Sequence, residues 1–262
     1  MTARLIPALA LAAFLLSAHG DLHEQIERVS AQIRRDPSNP ELYLKRGELH
    51  RLHQQYEAAE RDYARASPLP AVHLGRARLH AARKQWPAAV QALEQAPESE
   101  AVAALRGEVY GELGQPREAA RAWRRAIELA GAEPKVEYFL SLAAAHEMDG
   151  RHDEAIGVID EGLRRLGPLW TLDQWAIESE ARAARWDHAL ARLDRAAAAM
   201  PRKEPLLARK AEIQRDAGRP AEARRTAEAA REAMSQLPDR VRRTKAMVEL
   251  DARITALLKA AP

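Results

Sequence analysis

Residues 104–126 read Ala104-Leu105-Arg106-Gly107-Glu108-Val109-Tyr110-Gly111-Glu112-Leu113-Gly114-Gln115-Pro116-Arg117-Glu118-Ala119-Ala120-Arg121-Ala122-Trp123-Arg124-Arg125-Ala126. Gly114 and Pro116 divide the stretch into two helical halves, since Gly suits the position just past a helix end and Pro the first turn of the next. In the second half Ala119, Trp123 and Ala126 share one face at offsets of four and seven. Working outward, the same trio recurs as Ala59/Tyr63/Ala66, Ala89/Leu93/Ala96, Ala155/Ile159/Gly162, Ala189/Leu193/Ala196 and Ala223/Ala227/Ala230. The leading alanines are spaced by 30, 30, 36, 34 and 34 residues. A period in this range marks a repeat architecture, in which each unit is one supersecondary element that buries its apolar face against its neighbours.

Helix–turn–helix pairs are therefore expected at about 40–67, 70–97, 98–131, 134–167, 169–200 and 203–235. Gly114, Gly150 and Gly218 mark turns inside pairs, and Pro40, Pro70, Pro134, Pro168 and Pro205 fall near pair starts. Ahead of the array, Asp21–Arg35 reads as a helix, with Asp21 and Glu24 as a capping box and Leu22, Ile26, Val29 and Ile33 on one face. Behind it, Asp239–Lys259 reads as one closing helix carrying Val241, Met247, Leu250, Ile254, Leu257 and Leu258.

The third unit, with Gly107, Tyr110, Ala119, Trp123 and Ala126, resembles a tetratricopeptide repeat. Gly47, Ala77, Ala143 and Ala211 stand at the small position that Gly107 occupies, and Ile177 departs from it. The aromatic position of Tyr110 is taken elsewhere by His50, His80, His146, Glu180 and Gln214. The resemblance spans roughly residues 40–235. It implies an all-α, right-handed α-solenoid of about six repeats with capping helices at both ends, and a protein- or peptide-binding role. The chain then divides into a signal peptide (1–20), an N-terminal capping helix (21–38), the repeat array (39–236) and a C-terminal capping helix (237–262).

The chain has 262 residues, a net charge of +3 and no cysteine, which excludes disulfides, thiol nucleophiles and cysteine-based metal centres. Acidic and basic residues are interspersed, so the modest net charge points to no nucleic-acid partner. Arg117, Arg121, Arg124, Arg125, Arg219, Arg224, Arg225, Arg231, Arg240, Arg242, Arg243 and Lys245 suggest a basic outer face. Arg4, the apolar run Leu5–Leu16 and the small residues of Ala18-His19-Gly20 read as an export leader cleaved after Gly20. That run is shorter than the roughly 20 residues of a spanning helix, so an uncleaved anchor is the weaker reading. Export, to a bacterial periplasm, is the expectation, with no integral membrane segment in the mature chain.

No phosphate loop, dinucleotide fingerprint, HExxH or GxSxG occurs, and no enzyme activity or cofactor is expected. Nine histidines are present. His50 and His53 lie one helical turn apart, His80 is equivalent to His50, and His146–Glu154 is rich in possible ligands. An imidazole replacing the consensus aromatic, and a polar turn, account for these without a metal. Cleavage after Gly20 would leave Asp21-Leu22-His23 as a mature terminus. That sequence resembles the amino-terminal motif which wraps Cu(II) or Ni(II) in a square plane, the basis of an alternative role in envelope metal handling.

The resemblance assigns the partner-binding groove to the first helix of each pair. The residues there are Glu41, Leu44, Glu48, Arg51, Leu74, Arg78, Glu108, Glu112, Glu137, Leu140, Glu147, Gln174, Glu178 and Arg182, with Arg209, Glu212 and Arg215 further along. The central stretch is mostly acidic with leucines between, which favours a partner segment carrying Lys or Arg over a bare carboxylate terminus.

Overall fold

A computed structural model describes residues 6–260, with side chains described over 21–259. Its described residues form fifteen α-helices and no strand. The chain divides after Ala132 into two compact units. Each is a stack of helix–turn–helix pairs, and the fold class is the all-α solenoid.

Unit 1 holds α1 (Ile6–Arg35), α2 (Pro40–Leu52), α3 (Tyr56–Arg65), α4 (Val72–Ala82), α5 (Trp86–Gln95), α6 (Glu100–Glu112) and α7 (Pro116–Leu129). Unit 2 holds α8 (Val136–Met148), α9 (His152–Leu166), α10 (Trp170–Arg182), α11 (Trp186–Ala199), α12 (Glu204–Asp216), α13 (Pro220–Ser235), α14 (Asp239–Arg242) and α15 (Lys245–Ala260). Two helix ends differ from expectation. The helix of Asp21 continues back to Ile6, so no cap forms at Asp21 in the full chain. The closing helix breaks at Arg243-Thr244, where the Thr244 hydroxyl donates to the Val241 carbonyl and the chain restarts as α15.

All six turns inside pairs are the same object. Gln54, Lys84, Gly114, Gly150, Ala184 and Gly218 adopt positive φ of 56° to 73°. The next residue's N–H then reaches back five residues, as in Gln55 to the His50 carbonyl (2.8 Å), Gln115 to Tyr110 (2.9 Å) and Arg219 to Gln214 (2.8 Å). This is the Schellman closure, which satisfies otherwise orphaned helix-end carbonyls. These six positions repeat at the same 30, 30, 36, 34 and 34 spacing as the alanines.

The alanine trio forms the packing core. Ala59, Ala89, Ala155 and Ala189 are fully buried, as are Tyr63, Leu93, Ile159 and Leu193 four residues on. The partner position on the first helix shrinks to suit the large residue. Gly47 faces the ring of Tyr63, and a Cβ there would lie 2.7 Å from Cε1. At Gly107 a Cβ would lie 2.6 Å from the Trp123 ring, where Ala would overlap. At the capped ends, Ile26, Val29 and Ile33 of α1 join the core of α2 and α3. Met247, Leu250, Ile254 and Leu257 of α15 close against α12 and α13.

Candidate functional site

Packing fixes which side chains of the first helices remain for a partner. On α2 the residues Tyr43, Gly47 and Leu49 face inward. Leu44, Glu48 and Arg51 are left half-buried on another face. The 30-residue period repeats this assignment on α4, where Leu74 and Arg78 are half-buried, and on α6, where Glu108 and Glu112 are exposed. Neighbouring first helices touch, α2 with α4 and α4 with α6.

The site of unit 1 is built around Glu48. Its Oε1 accepts the hydroxyl of Tyr63 at 2.7 Å, and its Oε2 accepts Arg51 Nη2 at 3.0 Å. Arg78 Nη1 stands 3.8 Å from Oε2. The phenol rises from the buried core, and burial together with the Glu48 charge pushes its pKa far above the ordinary value. Glu48 is thereby held from beneath and screened from both sides. Glu108, by contrast, stays accessible, yet burial raises its carboxyl while the Arg78 charge lowers it. Glu108 and Glu112 hold no ion pair among the described residues. Glu41 is exposed, and only its backbone N–H is engaged, by the Asn39 cap at 3.0 Å.

In unit 2, Glu147 receives the buried Ser179 hydroxyl on Oε1, while Oε2 faces His152 Nδ1 at 3.4 Å and Arg182 Nη2 at 3.9 Å. Glu178 takes Arg209 through two bonds of 2.8 and 2.6 Å. Arg209 also reaches Glu212 at 3.1 Å, and Glu212 accepts Arg253 of α15 at 2.9 Å. Burial opposes the charge on Arg209, but the hydrogen bonds and charges of Glu178 and Glu212 together outweigh it and raise its pKa. Glu137 and Gln174 are exposed, Leu140 is half-buried, and Arg215 pairs with its neighbour Asp216.

The structure thus brings Glu48, Arg51 and Arg78 together in unit 1, and Glu147 with Arg182 in unit 2. The acidic face expected from the sequence is modified by this pairing, because Glu48, Glu147, Glu178 and Glu212 are each countered by arginines of the same unit. The basic outer residues are likewise offset: Arg121 by Glu118, Arg125 by Glu98 and Glu128, Arg224 by Glu228, and Arg242 by Asp239. Sequence reading placed Tyr63 in the packing column, where it is fully buried, but missed the bond from its hydroxyl to Glu48. A tyrosine in a column otherwise filled by Leu, Trp, Ile and Ala was the available signal, since its hydroxyl needs a partner.

His50 and His80 pack as local polar plugs. His50 Nδ1 lies 2.6 Å from Gln55 Oε1 and its Nε2 3.7 Å from buried Asp62, while His80 Nδ1 lies 2.9 Å from Gln85 Oε1. Arg151 Nε approaches Asp149 at 2.7 Å. Among the described residues no three His, Asp or Glu side chains converge as metal ligands. Asp21 and His23 are exposed within α1, and the chelate proposed for them depends on a free amine at residue 21. No described helix is long and apolar enough to cross a membrane. Residues 1–5 of the leader lie outside the described residues, as do the side chains of 6–20.

Residues 105–168 match the tetratricopeptide repeat family. No curated protein matches the chain. Among solved structures, the C-terminal part of a tetratricopeptide repeat protein from Cytophaga hutchinsonii aligns with a TM-score of 0.64 at 15% identity, over 92% of this chain and 98% of that one. A tetratricopeptide repeat protein from Parabacteroides merdae aligns over 97% of both chains, with a TM-score of 0.51 and 18% identity. YrrB, described as having an unusual peptide-binding site, aligns at 0.55 and 20% identity over 67% of this chain and 94% of its own. At these identities the likeness is one of fold. Residues 105–168 thus carry the family's sequence pattern, and the described helices on either side share the tetratricopeptide repeat fold.

Proposed function

We propose that the protein is a non-catalytic scaffold that holds a protein or peptide segment on the open face of its first helices, and that it works in the cell envelope after loss of residues 1–20. The tetratricopeptide fold itself suggests a protein-binding scaffold, and YrrB, of the same fold, has a peptide-binding site. The observation that carries the reading here is Glu108, accessible and without an ion pair among the described residues, beside Glu112 on a face where Glu48 is countered by arginines of its own unit. A Lys or Arg side chain of the partner supplies the missing charge.

Partner capture tests this. Immobilised full chain is exposed to envelope extract beside a Glu108→Lys/Glu112→Lys/Leu74→Ser variant whose helicity is checked by circular dichroism. A protein retained by the first and lost by the second is the expected result. Equal retention by both removes the site from this face. The mass of the protein recovered from its native cell tests export separately, with a start at Asp21 expected and an intact Met1 start contradicting it.

A further inference from the structure

Because the first three pairs share a 30-residue spacing, corresponding side chains of α2, α4 and α6 line up in rows across unit 1. One row is apolar: Leu44, Leu74 and Ala104, all half-buried. The next row, one helical turn on, alternates in sign: Glu48, Arg78, Glu108. The row is continuous in space, since Arg78 of α4 reaches toward Glu48 at 3.8 Å and α4 in turn touches α6, which carries Glu108. Glu48, which also accepts the Tyr63 hydroxyl, is shared by two arginines, Arg51 at 3.0 Å and Arg78 at 3.8 Å, so one positive charge is left over. What faces solvent is therefore a cationic step at α4, carried by Arg78, followed by an anionic step at α6, carried by Glu108 and Glu112.

We infer that this face selects a segment of mixed charge, with an acidic residue for Arg78, a basic residue for Glu108 and Glu112, and apolar side chains for Leu44 and Leu74. This rests on the scaffold reading above and narrows it to a partner chemistry. A uniformly basic segment gains Glu108 and Glu112 but meets Arg78 with like charge, and a uniformly acidic one meets the reverse penalty. Adjacent packed helices lie roughly 8–10 Å apart. An extended chain crosses that distance in about three residues at ~3.3 Å each. A helix takes about six or seven at ~1.5 Å. The acid and the base of the partner are separated by one such step.

The test is a display library of random 16-residue peptides panned on the immobilised full chain, on Glu108→Lys/Glu112→Lys and on Arg78→Gln. Peptides enriched on the natural chain are expected to carry an acid and a base at that step. Their affinity falls at least tenfold on Glu108→Lys/Glu112→Lys. The acidic preference disappears on Arg78→Gln, while the basic one persists. Enrichment of a single sign of charge, or enrichment without charge order, overturns the inference. A Leu44→Ser/Leu74→Ser variant of unchanged helicity separates the two levels. Peptides that ignore charge order but need the leucines reject this inference and keep the scaffold, whereas peptides indifferent to every substitution reject both.

Discussion

The third and fifth pairs solve the same packing problem by different physics. In α6 and α7 the helices interlock sterically, with Gly107 making room for the Trp123 ring. In α10 and α11 the small position is Ile177, and the ring is replaced by Leu193, both fully buried. That pair instead carries buried Arg192, whose Nε meets buried Glu180 at 3.0 Å and whose Nη1 meets Asp160 at 2.8 Å. Burial opposes the guanidinium charge, but the bonds from Asp160 and Glu180 outweigh it and raise its pKa. The same fold thus tolerates a shape lock in one repeat and an ionic lock in another. The two locks fail differently, because a buried charge is costly once its partner is removed.

The sharpest way to break the comparison is at Arg192. Arg192→Leu leaves Glu180 buried and unmatched, and should cost about 3–5 kcal/mol in urea unfolding. Glu180→Leu added to it should restore much of the loss, since an apolar pair of similar size often replaces a buried ion pair at no cost. Next comes Gly107→Ala, which overpacks against Trp123 and should cost about 1–3 kcal/mol. The loss should shrink in Gly107→Ala/Trp123→Leu, the combination that the second pair already uses as Ala77 with Leu93. A double-mutant cycle reads this directly, and additivity of the two changes would refute a shape lock.

Smaller effects test the turns and the ion cluster. Ala184→Gly should stabilise by up to about 1 kcal/mol, because Ala184 holds a φ of 56° that favours Gly. Gly114→Ala, with φ 68°, should lose a similar amount, as read by thermal melts. At the edge of the Arg192 cluster, burial raises the Asp173 carboxyl while Arg192 and Arg195 lower it. Its folded pKa lies above the unfolded value of about 3.8, so the charged form opposes folding at neutral pH and that opposition vanishes as pH falls through the folded pKa. Asp173→Asn should therefore be slightly stabilising at pH 7 and indistinguishable from the natural chain below about pH 3.5. A variant gap that widens in acid would reverse the sign of this assignment.

Much of the architecture was legible because it is periodic. Ala119, Trp123 and Gly107 state a geometry that the other pairs repeat, and Gly114, Gly150 and Gly218 announce three of the six turns. The remaining three were hidden, because Gln54, Lys84 and Ala184 adopt the left-handed conformation without a glycine to signal it. The rows of the binding face were legible as positions but not as charges. Glu48 and Glu178 look like free carboxylates in sequence, and only the distances to Arg78 and Arg209 show that they are matched across helices. Arg192 did leave a trace, as a cation in a column otherwise filled by Asp62, Ala92, Ala122, Val158 and Thr226. A long cation among small residues must either snorkel to water or find a buried acid.

The equal 30-residue pitch of the first three turns also bears on how such a chain can grow. A tandem duplication of one pitch returns the polypeptide to the same dihedral sequence at Gln54, Lys84 or Gly114 and to the same seam of alanines. One more leucine and one more charge then extend the rows, and the seam closes with no new hydrogen-bond pattern. The 36-residue step after Gly114 shifts that phase once, and the turns at Gly150, Ala184 and Gly218 then repeat at an equal 34 residues. Within unit 1 recognition length can therefore change by whole increments of one 30-residue pitch, and its reach along a partner is quantised in steps of one helix pair.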